Sequence, residues 1–326
     1  MALPLSILDL AIIGEGETAA DSLAASVALA QRAEDLGYRR IWYAEHHNMA
    51  SIASSATSVL IAHVAAHTRT IRLGAGGVML PNHAPLTIAE QFGTLETLHP
   101  GRIDLGLGRA PGSDQQTLRA LRRNPSVADA FPQDVLELQG YLSGESRTPG
   151  VEATPGKGTN VPLYILGSSL FGAQLAAALG LPYAFASHFA PAALEEAVAL
   201  YRRDFQPSAQ LDRPYVIAAL NVIAADTSQE AQEQFLASKR MRVSRFLGRG
   251  REFTREEADM ILESPAGQQI VQMAKYSAVG DAAEVKDYVD RFAKLADADE
   301  LIVAFSATDR KVWMRSAELL AEAHGL

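Results

Sequence analysis

The sequence predicts an α/β protein built as a (β/α)8, or TIM, barrel with insertions at the C-terminal face of its strands. Strand-like and helix-like patterns alternate along nearly the whole chain, eight strand patterns are present, and no linker of disordered composition separates them. The chain has 326 residues, somewhat more than a typical barrel, and two irregular segments account for the surplus. We therefore expect residues 1–326 to form one domain.

The first half of the chain supplies four strands and three helices. Thr18, with Asp21 three residues later, is a variant of the capping box, and Gly37 supplies the stop of that helix. Pro85 opens the helix after the third strand, at a position where its missing N–H costs nothing. The predicted strands are 6–13, 40–44, 70–78 and 102–106, and the predicted helices begin at 18, 55 and 85.

The second half contains both irregular segments. Residues from about 111 to 160 hold turn residues around one helical patch at 127–142, and we expect this insertion to fold over the active face. Residues from about 248 to 275 are charged and contain glycine, which suggests a mobile segment that is helical in places. Predicted strands lie at 161–166, 183–187, 215–223 and 300–305, with helices at 170–180, 192–205, 227–247 and 281–295 and from 309 onward.

Composition narrows the classes of function. With 29 basic and 38 acidic residues the formal net charge is −9, and no basic tail or patch is present, which argues against nucleic acid or an anionic membrane as partner. Cysteine is absent, which excludes disulfides, thiolate catalysis and Cys-ligated metal. No apolar run approaches the roughly 20 residues of a membrane span, and no basic n-region opens the chain. We expect a soluble cytoplasmic protein.

Glu45-His46-His47 is the strongest candidate for chemistry. These residues stand where the second strand should end, and the loops at strand C-termini form the active face of parallel α/β proteins. A carboxylate with two imidazoles is suited to acid–base work, but it is also compatible with a polar loop whose histidines bond to neighbours. These side chains and His188 could also supply metal ligands. We expect no metal, because the arginine and glycine motifs would then lack a purpose.

Other strand ends carry weaker signals. Gly74-Ala75-Gly76-Gly77 indicates either a tight turn or a flat ligand against a bare backbone. The stretch 106–112 has the wrong spacing for a dinucleotide fingerprint, but it leaves Arg109 as a clamp for phosphate or carboxylate, or as an ordinary salt-bridge partner. Gly167-Ser168-Ser169 opens a helix that could bind phosphate at its N-terminus. His188 ends the sixth strand, and could line a pocket or belong to a turn.

Together these motifs resemble the bacterial-luciferase-like flavin-dependent monooxygenases, and in particular their single-chain oxidoreductases. The resemblance runs in order and spacing from residue 3 to about 323. It is carried by Glu45-His46-His47, by LGAGGVMLP at 73–81, by Ala89-Glu90-Gln91, by GRIDLGLGRAPG at 101–112 and by GSS at 167–169.

The resemblance implies an enzyme that binds reduced FMN and uses O2 to oxidise a small aldehyde- or ketone-like substrate. A separate NAD(P)H:flavin reductase would supply the reduced FMN. The protein would be a homodimer packed through the helices that follow the second and third strands. Two alternatives stay open: an oxidoreductase that transfers hydride with the deazaflavin F420, and a flavin-binding protein without turnover.

The resemblance also assigns residues. His46 corresponds to the catalytic histidine, and Glu45 to a neighbour that orients His46 or another group. Gly76-Gly77 corresponds to a non-proline cis peptide behind the flavin ring. Ser168 replaces a glutamate of luciferase. The implied cofactor-binding residues are Ala75, Gly76, Gly77, Glu90, Arg109, Gly167, Ser168 and Ser169, and the implied substrate-lining residues are His47, His83 and His188.

Overall fold

A computed structural model describes residues 3–110, 114–248, 251 and 253–326, and in these residues nine parallel strands form one sheet. Eight of them close into a barrel, because the sixth strand pairs with the seventh and the first with the ninth. This confirms the predicted (β/α)8 fold. The strands are β1 (Leu5–Asp9), β2 (Arg40–Tyr43), β3 (Arg72–Met79), β4 (Ile103–Gly108), β5 (Leu163–Gly167), β6 (Tyr183–Phe185), β7 (Val216–Ala224), β8 (Ser277–Gly280) and β9 (Glu300–Phe305).

Helices surround the barrel, and most pack beside their neighbours in chain order. Across the described ranges, no helix combines the length and apolarity needed to cross a bilayer. Short 3-10 helices lie at Leu80–Asn82 and Pro125–Ala130. The α-helices are α1 (Ala19–Leu36), α2 (Thr57–Ala65), α3 (Pro85–Leu98), α4 (Gln115–Ala120), α5 (Phe131–Ser143), α6 (Leu170–Leu179), α7 (Leu194–Asp204), α8 (Ser228–Leu247), α9 (Arg255–Glu263), α10 (Pro265–Met273), α11 (Ala282–Leu295) and α12 (Arg310–His324).

The predicted helix signals act as expected at α1 and α3. Thr18 and Asp21 form a reciprocal capping box, and Gly37 ends α1 in the left-handed conformation at φ 87°. Pro85 is the first residue of α3. At α8 the Thr227 side chain accepts from the Glu230 N–H, without the reciprocal bond of a capping box.

The first strand is shorter than predicted, and a ninth strand was missed. β1 ends at Asp9, whose side chain accepts the N–H of Ala11 at 2.8 Å, and Ala11 takes a left-handed φ of 47° that turns the chain out of the sheet. The extra strand β8 pairs with the C-terminal half of β7. It has only four residues, too few to show a period-2 pattern.

Both irregular segments contain more regular structure than predicted. In the first, α5 packs against α3 and also contacts the 3-10 helix that follows β3. Residues 111–113 lie outside the described part. In the second, α9 and α10 directly follow Thr254 and Ser264, whose side chains cap them, and both helices pack on α8.

A buried ion network crosses the N-terminal end of the barrel interior. Arg40, at the start of β2, donates to Asp104 Oδ2 at 2.6 Å, to the Tyr164 hydroxyl at 2.7 Å and to Glu300 Oε2 at 3.2 Å. Burial opposes the charge of Arg40, but the two carboxylates outweigh this cost and raise its pKa. The network connects the N-terminal ends of four strands: β2, β4, β5 and β9.

The network predicts a large stability difference between two adjacent arginines. Arg40→Met leaves Asp104 and Glu300 buried without their shared cation, so we expect a loss of about 3–5 kcal/mol in unfolding free energy. Arg39→Met is the matched control, because Arg39 is 45% exposed and lies 3.7 Å from Glu300; it should cost less than about 1 kcal/mol. Urea unfolding of both variants measures this. Equal losses would show that the network does not hold the barrel together.

Candidate active site

The candidate residues from β2, β3, β4 and β5 meet at the C-terminal edge of the barrel. The parallel register pairs Tyr43 with Ala75, Met79 with Gly108, and Gly108 with Leu166. The segments that follow these residues therefore leave the sheet side by side. They contain Glu45 to His47, His83, Arg109 and Ser168-Ser169.

The glycines of β3 lie at an irregularity in the sheet. The register with β4 shifts between Ala75 and Val78, and the Gly76–Gly77 peptide is cis, as the resemblance implied. A Cβ on Gly77 would lie 2.7 Å from the carbonyl oxygen of Gly106. Packing of the neighbouring strand thus excludes a side chain at Gly77, so this glycine is required whether or not a ligand lies nearby.

Glu45 is the centre of a hydrogen-bonded cluster. Its side chain is 1% exposed, and its Oε1 accepts from His47 Nε2 and from His83 Nε2, each at 2.8 Å. Its Oε2 accepts the N–H of Met79 at 3.1 Å. The carboxylate therefore connects the end of β2 to the end of β3 and fixes the orientation of two imidazoles.

The charges within this cluster are mutually stabilised. Burial raises the pKa of Glu45, but the hydrogen bonds from His47 and His83 and the Met79 N–H outweigh it, so the net shift is downward. The hydrogen bond to Glu45 raises the pKa of His47. Glu45 is therefore ionised, and His47 carries its proton to higher pH than a free imidazole would.

His46 lies next to this cluster but does not join it. Its backbone N–H donates to the Ser54 carbonyl at 3.0 Å, while its buried Nδ1 has no hydrogen-bond partner. Burial and the charge of Arg245 lower the pKa of His46. Sequence reasoning left open whether Glu45 orients His46 or a neighbour, and in the structure it contacts the neighbours His47 and His83.

His188 faces the same region from the end of β6. Its Nδ1 is buried without a partner, and its carbonyl accepts from Asn221 Nδ2 at 2.7 Å. Burial, together with the charges of Arg242 and His46, lowers the pKa of His188 to about 3. Two neutral imidazoles, from β2 and β6, thus lie near each other at the barrel mouth.

Sequence reasoning missed Arg242 and Arg245 of α8. Arg242 donates to Asn221 Oδ1 on β7 at 2.7 Å, and Arg245 lies close enough to His46 to affect its pKa. A signal was available in the sequence, because no acidic residue occurs between Glu233 and Glu252 although this stretch is rich in arginine. Arginines without an acidic residue at helical spacing have no local ion-pair partner.

Arg109 and the two serines form a second part of the site. Arg109 follows β4, is exposed, and places its guanidinium carbon 4.1 Å from the ring centroid of Phe171 in the first turn of α6. Ser169 is the N-cap residue of α6, and its hydroxyl makes no capping hydrogen bond. The guanidinium and the free helix N-terminus are therefore adjacent.

Glu90 is set apart from these groups. It lies in the second turn of α3, and its carboxylate forms no hydrogen bond or ion pair with the described residues. Its assignment to cofactor binding stays a prediction.

The three side chains of the Glu45 cluster are also spaced as metal ligands could be. One atom each of Glu45, His47 and His83 lies within 4.8 Å of the others. In the structure both Nε2 atoms lie 2.8 Å from the same carboxylate oxygen, Glu45 Oε1, which is the distance of a hydrogen bond.

Comparison with known proteins identifies the class. The chain matches the luciferase-like monooxygenase family over residues 4–299. An Escherichia coli protein named luciferase-like monooxygenase is 50% identical, covering 96% of this chain and 95% of its own. The N-acetyl-S-alkylcysteine monooxygenase of Bacillus subtilis is 34% identical, covering 98% and 97%. The structure of apo-MsnO8 is 36% identical, with a TM-score of 0.89 and 99% of each chain covered.

These matches show that the chain belongs to the luciferase-like monooxygenase family. The parallel barrel with histidines at its C-terminal edge is therefore the scaffold of an oxidoreductase. More distant structures share the fold alone. One is the oxygenating constituent of 3,6-diketocamphane monooxygenase in complex with FMN, at 17% identity, TM-score 0.75, and 99% and 97% coverage. Another is an F420-dependent secondary alcohol dehydrogenase, at 16% identity, TM-score 0.71, and 98% coverage of each chain.

The Glu45 cluster predicts a pH-dependent effect of His47→Gln. Because the pKa of His47 is raised in the folded protein, its stabilisation is complete below the unfolded value of 6.5 and is lost as pH rises through the folded value. We expect the variant to lose roughly 1–3 kcal/mol at pH 5.5 and less at pH 8.5. Urea unfolding at both pH values measures the difference. Lys294→Gln, at an exposed position of α11 that forms no ion pair with the described residues, is the control. A loss that grows with pH would contradict the assignment.

Proposed function

We propose that the protein is a flavin-dependent monooxygenase that uses reduced FMN and O2 to oxidise a small organic substrate. The observation that carries this proposal is the pairing of two sites on one barrel face. An exposed cation lies beside a free helix N-terminus at β4 and β5, and a buried neutral imidazole lies at the end of β2. The first suits a phosphate, and the second suits proton transfer in a site shielded from water.

The phosphate of FMN fits the group formed by Arg109, Gly167, Ser168 and Ser169. Arg109 has no carboxylate partner among the described residues, and its guanidinium is held over Phe171. The Ser169 hydroxyl and the first N–H groups of α6 add donors. Bound here, FMN would extend its ring toward the backbone of Ala75, Gly76 and Gly77.

His46 is the proposed catalytic residue. Its lowered pKa keeps the imidazole neutral at neutral pH, and its buried Nδ1 is free to accept or hold a proton. Glu45 acts as a positioning residue, because its bonds to His47 and His83 hold the β2 and β3 loops together. His47, His83 and His188 line the space in which the substrate would lie.

Bound reduced FMN would supply the electrons that activate O2, one oxygen atom entering the substrate and the other leaving as water. A separate NAD(P)H:flavin reductase would provide the reduced FMN. The substrate panel includes aldehydes and ketones, and also thioethers, because the name of the Bacillus subtilis relative specifies an N-acetyl-S-alkylcysteine.

A homodimer packed through α2 and α3 is also part of the proposal. Val59 of α2 is 68% exposed and Leu98 of α3 is 64% exposed, so each helix presents a large apolar side chain to solvent. Exposed apolar side chains on adjacent helices are typical of an association surface when they form a continuous patch.

Anaerobic titration tests the proposal. Purified protein is titrated with reduced FMN, oxidised FMN and F420, and O2 is then admitted with a substrate panel. We expect reduced FMN to bind most tightly and O2 uptake to be coupled to substrate oxidation, with no loss when EDTA is added. Tight F420 binding with O2-independent turnover would support the alternative of hydride transfer. Failure to bind any of the three would contradict both.

His46→Ala should separate binding from turnover. Because the imidazole is proposed to move a proton and not to hold the flavin, we expect unchanged affinity for reduced FMN and a fall in kcat of about 100-fold or more. Lys294→Ala, at an exposed position on α11 away from the proposed dimer surface, is the control. Wild-type kcat in the His46 variant would remove this residue from the reaction.

A further inference from the structure

Arg242 and Arg245 stand three residues apart on α8 and approach the barrel mouth. Arg242 is anchored by its hydrogen bond to Asn221, which in turn holds the His188 carbonyl. The charge of Arg245 acts on His46, and that of Arg242 acts on His188. The two guanidinium groups therefore lie within electrostatic range of the two imidazoles, and Asn221 links Arg242 to the His188 backbone.

Neither guanidinium has an anionic partner among the described residues. Arg245 donates to the sulfur of Met241 at 3.5 Å, and its buried Nε has no hydrogen-bond partner among the described residues. Arg240 of the same helix shows the ordinary alternative, since it forms a two-pronged ion pair with Asp259 at 2.7 and 2.6 Å.

Two adjacent cations without an anion are electrostatically unfavourable in a partly buried site. Burial lowers the pKa of both arginines, and the charge of Arg245 lowers that of Arg242 further, to about 10. A negatively charged group would relieve both the repulsion and the unmet hydrogen bonding. The planar guanidinium fork matches a carboxylate through two parallel hydrogen bonds.

We propose that the organic substrate carries a carboxylate, which Arg242 and Arg245 bind at the barrel mouth. This inference rests on the proposed function, because it places the substrate of that reaction. The phosphate of FMN would have its own cation, Arg109, at the ends of β4 and β5, whereas the charges of the α8 arginines act on His46 and His188. A carboxylate held there brings the rest of the substrate next to His46.

Calorimetric titration of the purified full-length protein tests the proposal without turnover. The probes are two matched pairs: benzoate with benzamide, and N-acetyl-S-methylcysteine with its amide. We expect at least one carboxylate to bind about 10- to 100-fold more tightly than its amide. Arg242→Gln and Arg245→Gln should each abolish this preference. Arg245→Lys, which keeps the charge without the fork, should retain part of it and shows that position 245 tolerates change.

Arg213→Gln is the matched control, because Arg213 is exposed in the loop before β7 and makes no ion pair with the described residues. Arg213→Gln removes the same charge and should leave the preference for the carboxylate over its amide intact. No preference in the wild type, or a preference that survives both glutamine variants, would overturn the proposal.

A second experiment tests whether the α8 arginines bind the substrate carboxylate or the phosphate of the flavin. Affinities for FMN and riboflavin are measured for Arg109→Gln, Arg242→Gln and Arg245→Gln. Arg109→Gln should lose the preference for FMN, while the α8 variants should keep it. Loss in the α8 variants would mean that these arginines bind the phosphate, which overturns the inference. Because O2 uptake is not measured, failure here is distinguishable from failure of the proposed function.

Discussion

The buried contact of Arg40 with Asp104 and Glu300 is the constraint on which the barrel depends. Buried charges are tolerated only when they are paired and hydrogen-bonded, so this cation allows one arrangement of the strands that surround it. The contact lies at the start of β2, and Glu45 follows five residues later, about 16 Å away in extended chain. The strand that carries the ion network at one end thus presents the proposed chemistry at the other.

At the mouth, the polar residues fall into two groups that differ in their partners. Glu45, His47 and His83 satisfy one another and connect the loops after β2 and β3. His46, His188 and Arg245 each have a buried nitrogen without a hydrogen-bond partner. Since buried polar atoms are ordinarily satisfied, the first group accounts for its own hydrogen bonding, whereas the second leaves hydrogen-bonding capacity unmet at the barrel mouth.

Much of the fold follows from local signals in the sequence. The Thr18 cap, the Gly37 stop and Pro85 act within a few residues, and the strand β9 matches its predicted range. The site is only partly predictable, because its partners are distant in sequence. His83 bonds to Glu45 although 38 residues separate them in the chain. Arg245 acts on His46 although most of the barrel lies between them in sequence. Segment 248–275 was predicted to be helical in places, but the bounds of its helices were not predicted, since two short capped helices that pack on α8 leave a weak periodic signal.

The two groups are also coupled through charge. Burial and Arg245 lower the pKa of His46, while the ionised Glu45 raises it. An anion bound by Arg242 and Arg245 would offset the effect of Arg245 and leave that of Glu45, so the pKa of His46 would rise when a carboxylate arrives. The imidazole would then hold a proton most readily when a substrate is present. A site arranged in this way links substrate binding to the protonation of its acid–base group without any movement of the barrel.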